Sequence, residues 1–388
     1  MESGGKRQGR GSAEGLTRRS FVEAGMLAAG ALIGGSGLAR AGNEDSREAV
    51  RKTRSYHPDM EYRQLGKTGL WVSAVGLGGH WKRVKVMNQD LVKNRRKVVR
   101  RCMEVGINYV DACCAAEVRT YSKALGGHRD EVFLALSHCG QEVRNEKYRT
   151  ADKLMESLDA LLMDADLDYT DLWRITCLEP GGRHSFNTAC EMVKALEKAK
   201  KQGKARFIGI SSHDRRWLKM MVEQFPEIEV ILFPYTARSR VLTRRSVSNP
   251  ASDDREAVGA RLDRDPRWNW PDESSLFDLV QKRNVGTFGI KPFASNALFR
   301  GTGAPDDPHA EEDDRRARLA IRYILCNPAI TAPIPGLINS RQVENVARAV
   351  RERRRLDVAE AEELDGIMDE AWAKLPQGYE WLKNWQYV

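Results

Sequence analysis

Eight short, nearly uninterrupted apolar runs punctuate the chain, at 74–79, 107–112, 132–137, 171–177, 206–212, 230–235, 286–293 and 330–336. Strands buried on both faces read this way, because neither face alternates with solvent. Over 88–105, 117–126, 149–165, 185–202, 214–225, 274–284, 313–326 and 339–353 the apolar residues instead recur every three or four positions, the spacing of one helical face. Eight strands, each followed by a helix, predict an α/β fold in which a parallel sheet closes into a (β/α)8 TIM barrel. A doubly wound open sheet is the competing topology. Against it, no G-x-G-x-x-G follows the first run, where a dinucleotide-binding open sheet carries one. MEYRQLGKTGLWVS (60–73) alternates about a Gly-Lys-Thr-Gly turn and predicts an N-terminal β-hairpin ahead of the barrel.

The flanks follow other rules. LTRRSF (16–21) leads into the Gly/Ala-rich apolar run GMLAAGALIGGSGL and then into Ala39-Arg40-Ala41. That order predicts a twin-arginine signal peptide over 1–41, cleaved near Gly42, and export to the periplasm or cell envelope. A cytoplasmic protein with an amphipathic N-terminal helix is the alternative; the run is too short and glycine-rich to span a bilayer. Residues 42–59 read as a linker and 60–356 as the barrel. A charged insertion at 238–272 reads as a partial lid carrying Trp268 and Trp270, or as a disordered excursion. Residues 357–388 read as a C-terminal helix and an aromatic tail with Trp372, Tyr379, Trp381, Trp385 and Tyr387, which either dock the tail or face a flat or sugar-like ligand.

The formal net charge of +9 favours anionic ligands in general but names no partner. No nucleic-acid motif accompanies it, and the arginine-rich stretch 348–355 reads as a solvated helix face. The seven cysteines are an odd number without metal-ligand spacing. His138, His213 and Glu179 fall just past strand ends, again without a ligand pattern, so no metal site is expected. Cys113-Cys114, directly after Asp111, is the cysteine pair nearest the chemistry.

GINYVDACCAAEVRTYSKALG (106–126), YRQLGKTGLWVSAVGLGG (62–79), ALEKAKKQGKARFIGISSHD (195–214) and IPGLINSRQVENV (334–346) together resemble the aldo-keto reductases, and the resemblance runs over roughly residues 60–350. It implies a barrel that binds NADP(H) and reduces aldehydes and ketones with Asp, Tyr, Lys and His at the C-terminal mouth. In that chemistry Tyr protonates the carbonyl oxygen as hydride arrives, Lys paired with Asp lowers the Tyr pKa, and His orients the carbonyl. Carried over by position, Asp111 matches, while Ala116, Ser137 and Thr176 stand where Tyr, Lys and His belong. Losing the general acid alone costs about 10²–10⁴-fold. Ser211 matches the nicotinamide clamp, with Ser212 and Leu232 replacing its Asn and Gln. Gly336, Asn339, Arg341, Gln342 and Asn345 match the phosphate end, at a helix N-terminus suited to anions.

Arg174 lies two residues before Thr176 and so faces the same inner side of its strand. A buried Asp111 without its lysine needs another cation, so an Arg174–Asp111 pair is expected, either structural or catalytic. Lys291, ending the seventh strand, either binds an anion or is a solvated rim residue. The expected function is an oxidoreductase-like barrel acting on a small, carbohydrate-like carbonyl or alcohol by an altered proton relay. A catalytically silent ligand-binding barrel, and a lyase or isomerase using Asp111, Arg174 and Lys291, are the alternatives.

Overall fold

The computed structural model describes residues 44–79, 90–177, 184–240, 267–268, 275–304, 306–385 and 388. The stretch read as a signal peptide, Glu179, Trp270, Tyr387 and most of the insertion lie outside them. Within the stretch read as a linker, α1 (Glu44–Arg51) is helical, and Thr53, Arg54 and Ser55 bind the carbonyls of Trp71, Val132 and Glu131. β1 (Tyr62–Gln64) and β2 (Trp71–Ser73) form the expected antiparallel hairpin.

Past α2 (Leu91–Glu104), strands and helices alternate: β3 (Tyr109–Ala112), α3 (Ala115–Ala124), β4 (Phe133–Leu136), α4 (Ala151–Asp164), β5 (Thr170–Thr176), α5 (Phe186–Lys201), β6 (Ala205–Ser211), α6 (Arg215–Gln224) and β7 (Val230–Pro234). Then come α7 (Leu276–Lys282), β8 (Gly286–Ile290), α8 (Ala310–Leu325), β9 (Ala332–Pro333), α9 (Ser340–Arg351) and α10 (Val358–Ala373). Side chains fix where helices start: Asp90, Thr150, Ser185, Asp214, Asn339 and Asp357 each accept a backbone N–H in the first turn.

The closed eight-stranded barrel is not formed. Among the described residues the parallel sheet has seven strands, β3 to β9 in chain order, curled and open. The first apolar run makes only isolated bridges, Leu77 with Val110 and Gly78 with Gly336. Proline explains why. Gly76 and Gly78 donate to the carbonyls of Pro333 and Pro335 at 2.9 and 2.8 Å, but neither proline has an N–H to return, so no ladder develops at that seam. The same prolines cut the last strand to two residues.

Alternation along the strands sorts side chains between two cores. Val110, Leu134, Leu136, Trp173, Ile175 and Ile210 face the helices, while Tyr109, Phe133, Ala135, Leu172, Leu232 and Phe288 fill the inside of the curl, with Leu65 and Val72 of the hairpin below them. At the floor, the carboxylate of Asp171 accepts from Arg54 (3.1 Å), Arg129 (2.8 Å), Arg206 (2.7 Å) and the Leu134 N–H (2.9 Å).

Candidate active site

The C-terminal ends of β3, β4 and β5 bring together what the sequence spaces apart. Tyr109 and Asp111 share the inner face of β3, Ala135 and Ser137 that of β4, and Arg174 and Thr176 that of β5. Ala135, which pairs across from Asp111, is small enough to leave room for a guanidinium. Arg174 fills it. Its Nε donates to Asp111 Oδ2 at 2.9 Å and its Nη2 to Oδ1, a bidentate pair with Arg174 and Asp111 only 3% and 5% exposed. Burial by itself would lower the Arg174 pKa, but the facing carboxylate outweighs it and holds the group well above its ordinary value. The predicted pair is therefore present.

A hydroxyl chain runs on from it. Arg174 Nη1 donates to Thr176 Oγ1 at 2.9 Å, Thr176 and Ser137 hydroxyls are 2.6 Å apart, and Ser137 donates to Glu142 Oε2 at 2.7 Å. Glu142, 1% exposed, also accepts from the backbone N–H groups of Thr176 (2.8 Å) and His138 (2.9 Å) and from Trp173 Nε1 (3.3 Å). Every partner of that carboxylate is a donor, as an ionised acid requires. With Arg174 donating at one end and Glu142 accepting at the other, the two hydroxyls point their protons toward Glu142.

Sequence reasoning missed Glu142, Tyr109 and Cys139. Glu142 lies in the irregular loop after β4, where no period applies. Tyr109 was readable, being in phase with Asp111; its hydroxyl is 3.4 Å from Asp111 Oδ2, its ring stacks on Phe288 at 4.1 Å, and burial pushes its pKa well up. Among the described residues, no ammonium group joins this phenol at Asp111. Tyr121, the other nearby phenol, is committed to the Gly78 carbonyl at 2.6 Å.

The sector at the ends of β6 to β8 is built differently. A 3-10 turn at Glu380–Trp385 brings the tail over it. Trp381 stacks on His213 with ring centroids 4.1 Å apart, Trp385 stacks on Phe233 at 5.9 Å, and Trp385 Nε1 donates to the His213 carbonyl at 3.2 Å. Lys291, with φ of 57°, carries its ammonium 5.4 Å from the Tyr379 ring and 5.9 Å from that of Trp381. The structure thus places Lys291 with the tail aromatics. Ser211 ends β6, buried beside Thr176 and Leu232 in register.

The proposed phosphate-end residues divide. Gly336 is exposed, and a Cβ there would lie 2.7 Å from the Gly79 carbonyl, so the close seam excludes a side chain. Asn339 caps α9 through the Gln342 N–H at 2.9 Å and donates to the Gly303 carbonyl at 3.1 Å, while Gln342 Oε1 accepts the Ile338 N–H at 2.9 Å. Arg341 is half-buried on Asp314 at 2.8 Å. Asn345 turns to α8, where it accepts from Arg318 at 2.7 Å and donates to the Asp314 carbonyl at 2.8 Å. Among the described residues, no group of three or more His, Cys, Asp or Glu could hold a metal, and no helix is long and apolar enough to cross a membrane. Of the insertion's tryptophans, Trp268 is buried against Phe186 and Phe225, with centroids 5.0 and 6.1 Å away.

Residues 74–245 match the model of the Aldo/keto reductase family. L-glyceraldehyde 3-phosphate reductase of Escherichia coli (strain K12) is 25% identical over 275 residues, 67% of this chain and 69% of that protein. L-galactose dehydrogenase of Arabidopsis thaliana is 24% identical over 339 residues, 80% of this chain and 95% of that protein. Among solved structures, an aldo-keto reductase from Bacillus halodurans in its holo form gives a TM-score of 0.54 at 23% identity, over 82% of this chain and 99% of that one. One from Klebsiella pneumoniae in complex with NADPH gives 0.55 at 16% identity, over 79% and 94%. At these identities the structural likeness speaks to the fold.

Proposed function

We propose that this chain, a member of the aldo-keto reductase superfamily at low-to-moderate identity, is an exported oxidoreductase that binds NADP(H) and acts on a small, carbohydrate-like alcohol or its carbonyl. The observation that carries the reading is the hydroxyl chain from Arg174 through Thr176 and Ser137 to Glu142. Its hydrogen bonds run toward a carboxylate, so it is arranged to take a proton from a substrate hydroxyl. In the dehydrogenation direction Thr176 accepts that proton and passes its own to Ser137, which passes its own on to Glu142. Asp111 fixes the guanidinium, and the guanidinium fixes the Thr176 lone pairs.

The bound nucleotide would supply a hydride acceptor or donor. At the open start of α9, exposed Gly336 and Ser340 with half-buried Asn339, Arg341 and Gln342 fit its phosphate end, where the helix N-terminus favours an anion. Asn345, facing α8, does not take part. The sugar-like substrate class is supported by the substrates in the names of the two relatives, L-galactose and L-glyceraldehyde 3-phosphate. Export rests on the order of paired arginines, apolar run and small-x-small site in residues 16–41.

A second reading, a binding protein without turnover, is favoured by the near-complete burial of the Asp111 cluster. Two measurements separate them. Tryptophan fluorescence is followed during NADPH titration, and NADPH formation is followed from NADP+ with a panel of aldoses and polyols. Binding plus turnover that Glu142→Gln abolishes supports the first reading. Binding without turnover on any substrate supports the second, and no binding up to millimolar NADPH refutes the first.

A further inference from the structure

We propose that Cys113 and Cys139 form a redox-active dithiol at the mouth of the sheet, closing to a disulfide by exchange with a disulfide-bearing oxidant such as oxidised glutathione. The sequence draws the eye to Cys113 and Cys114, but the fold pairs Cys113 with a cysteine 26 positions on. β3 and β4 are parallel neighbours in the register Ala112 to Leu136, and their backbone pairing continues past the strand ends: Ser137 N donates to Ala112 O at 3.0 Å and Cys139 N to Cys113 O at 3.1 Å. In the strand register Cys113 falls opposite Ser137, and beyond the strand ends the Cys139 N–H reaches back to the Cys113 carbonyl, so the two cysteines are backbone hydrogen-bond partners on adjacent chain segments. A disulfide needs its Cα atoms about 4.4–6.8 Å apart, a range that backbone hydrogen-bond partners on adjacent parallel segments can meet. The Cys139 and Cys113 thiols are near enough to perturb one another.

Both residues are partly exposed, unlike Cys102 and Cys177, which are buried. Burial pushes the Cys102 thiol up to about 12 and leaves it inert. Cys113 instead lies within the electrostatic reach of the Arg174 guanidinium. The Cys139 thiol is pushed well up, first by the neighbouring Cys113 thiol and then by burial, which suits the resolving partner. In the exchange, the Cys113 thiolate attacks one sulfur of glutathione disulfide. A Cys113–glutathione bond forms, the glutathione S–S bond breaks, and one glutathione thiolate leaves. Cys139 then loses its proton and attacks Cys113 Sγ, expelling the second glutathione thiolate. Two cysteine thiols are oxidised, and one disulfide is reduced to two thiols. The product ties together the strand ends that carry Asp111 and Ser137.

The test uses the full chain, equilibrated in oxidised and reduced glutathione at graded ratios, then alkylated and mapped by peptide mass. The expected result is a Cys113–Cys139 cross-linked peptide that accumulates with oxidising ratio and disappears with excess reduced glutathione. Cys139→Ser should trap glutathione on Cys113, and Cys113→Ser should leave Cys139 without it. Full alkylation of both cysteines at every ratio, a Cys113–Cys114 disulfide, or glutathione held on Cys139 of the native chain would overturn the proposal. The native-chain mapping decides the matter even where a serine variant fails to fold.

Discussion

Asp171 at the floor and Asp111 at the mouth are both buried, and they are neutralised in opposite ways. Asp171 gathers three arginines, with side chains 20%, 19% and 40% exposed, so each guanidinium keeps part of its hydration. It works as a clamp between the N-terminal segment and three strand ends. Asp111 has one guanidinium, itself buried, and that guanidinium leads into hydroxyls ending on a second buried carboxylate. An excess of solvated cations around one acid tolerates change, whereas a dry pair leaves a bare charge when either partner goes. The floor is thus built as an anchor, and the mouth as a charge arrangement with a direction.

The largest expected effect breaks the mouth. Arg174→Met strands Asp111 and should cost about 3–5 kcal/mol in urea denaturation. Adding Asp111→Leu should return much of that loss, because two apolar groups replace the pair. Next comes acid. His184 is buried and its pKa is lowered, by desolvation first and by Arg149 second, to about 4. The unfolded chain then binds the extra proton between about pH 6.5 and pH 4, so this contribution is complete above pH 6.5 and is lost as pH falls to 4. The loss is on the order of 3 kcal/mol, and His184→Phe should flatten that window in denaturant titrations at stepped pH. At the floor, Asp171→Asn should cost less than Arg174→Met, roughly 1–3 kcal/mol, since its arginines can turn to water. Equal costs for the two would erase the contrast between the regions. Smallest is Lys291→Met, about 0.5–1 kcal/mol from lost cation–π contact with Tyr379 and Trp381, read as a thermal shift.

What could be read from the sequence follows from period and charge. Seven of the eight apolar runs became strands of the parallel sheet, and Arg174 was assigned to Asp111 because alternation aims it inward and a buried acid needs a cation. Closure could not be read the same way. It depends on which edge donors face Pro333 and Pro335, a matter of register between segments more than 250 residues apart. Glu142 escaped for a related reason, since a loop has no period and its role depends on four backbone and side-chain donors converging from β5 and the segment just past β4. The tail's aromatics announced a docking or binding face. That they would settle on His213, Phe233 and Lys291 was set by packing alone.

A hydride site served by a hydroxyl relay to Glu142 should reveal itself in deuterium transfer. Aldoses deuterated at C1 are incubated with the protein and NADP+, and the deuterium content of the cofactor is read by mass spectrometry. The account predicts labelled NADPH from the native chain and a loss of roughly a hundredfold or more in Glu142→Gln, with NADPH affinity unchanged. Equal labelling in the native and Glu142→Gln proteins would contradict it.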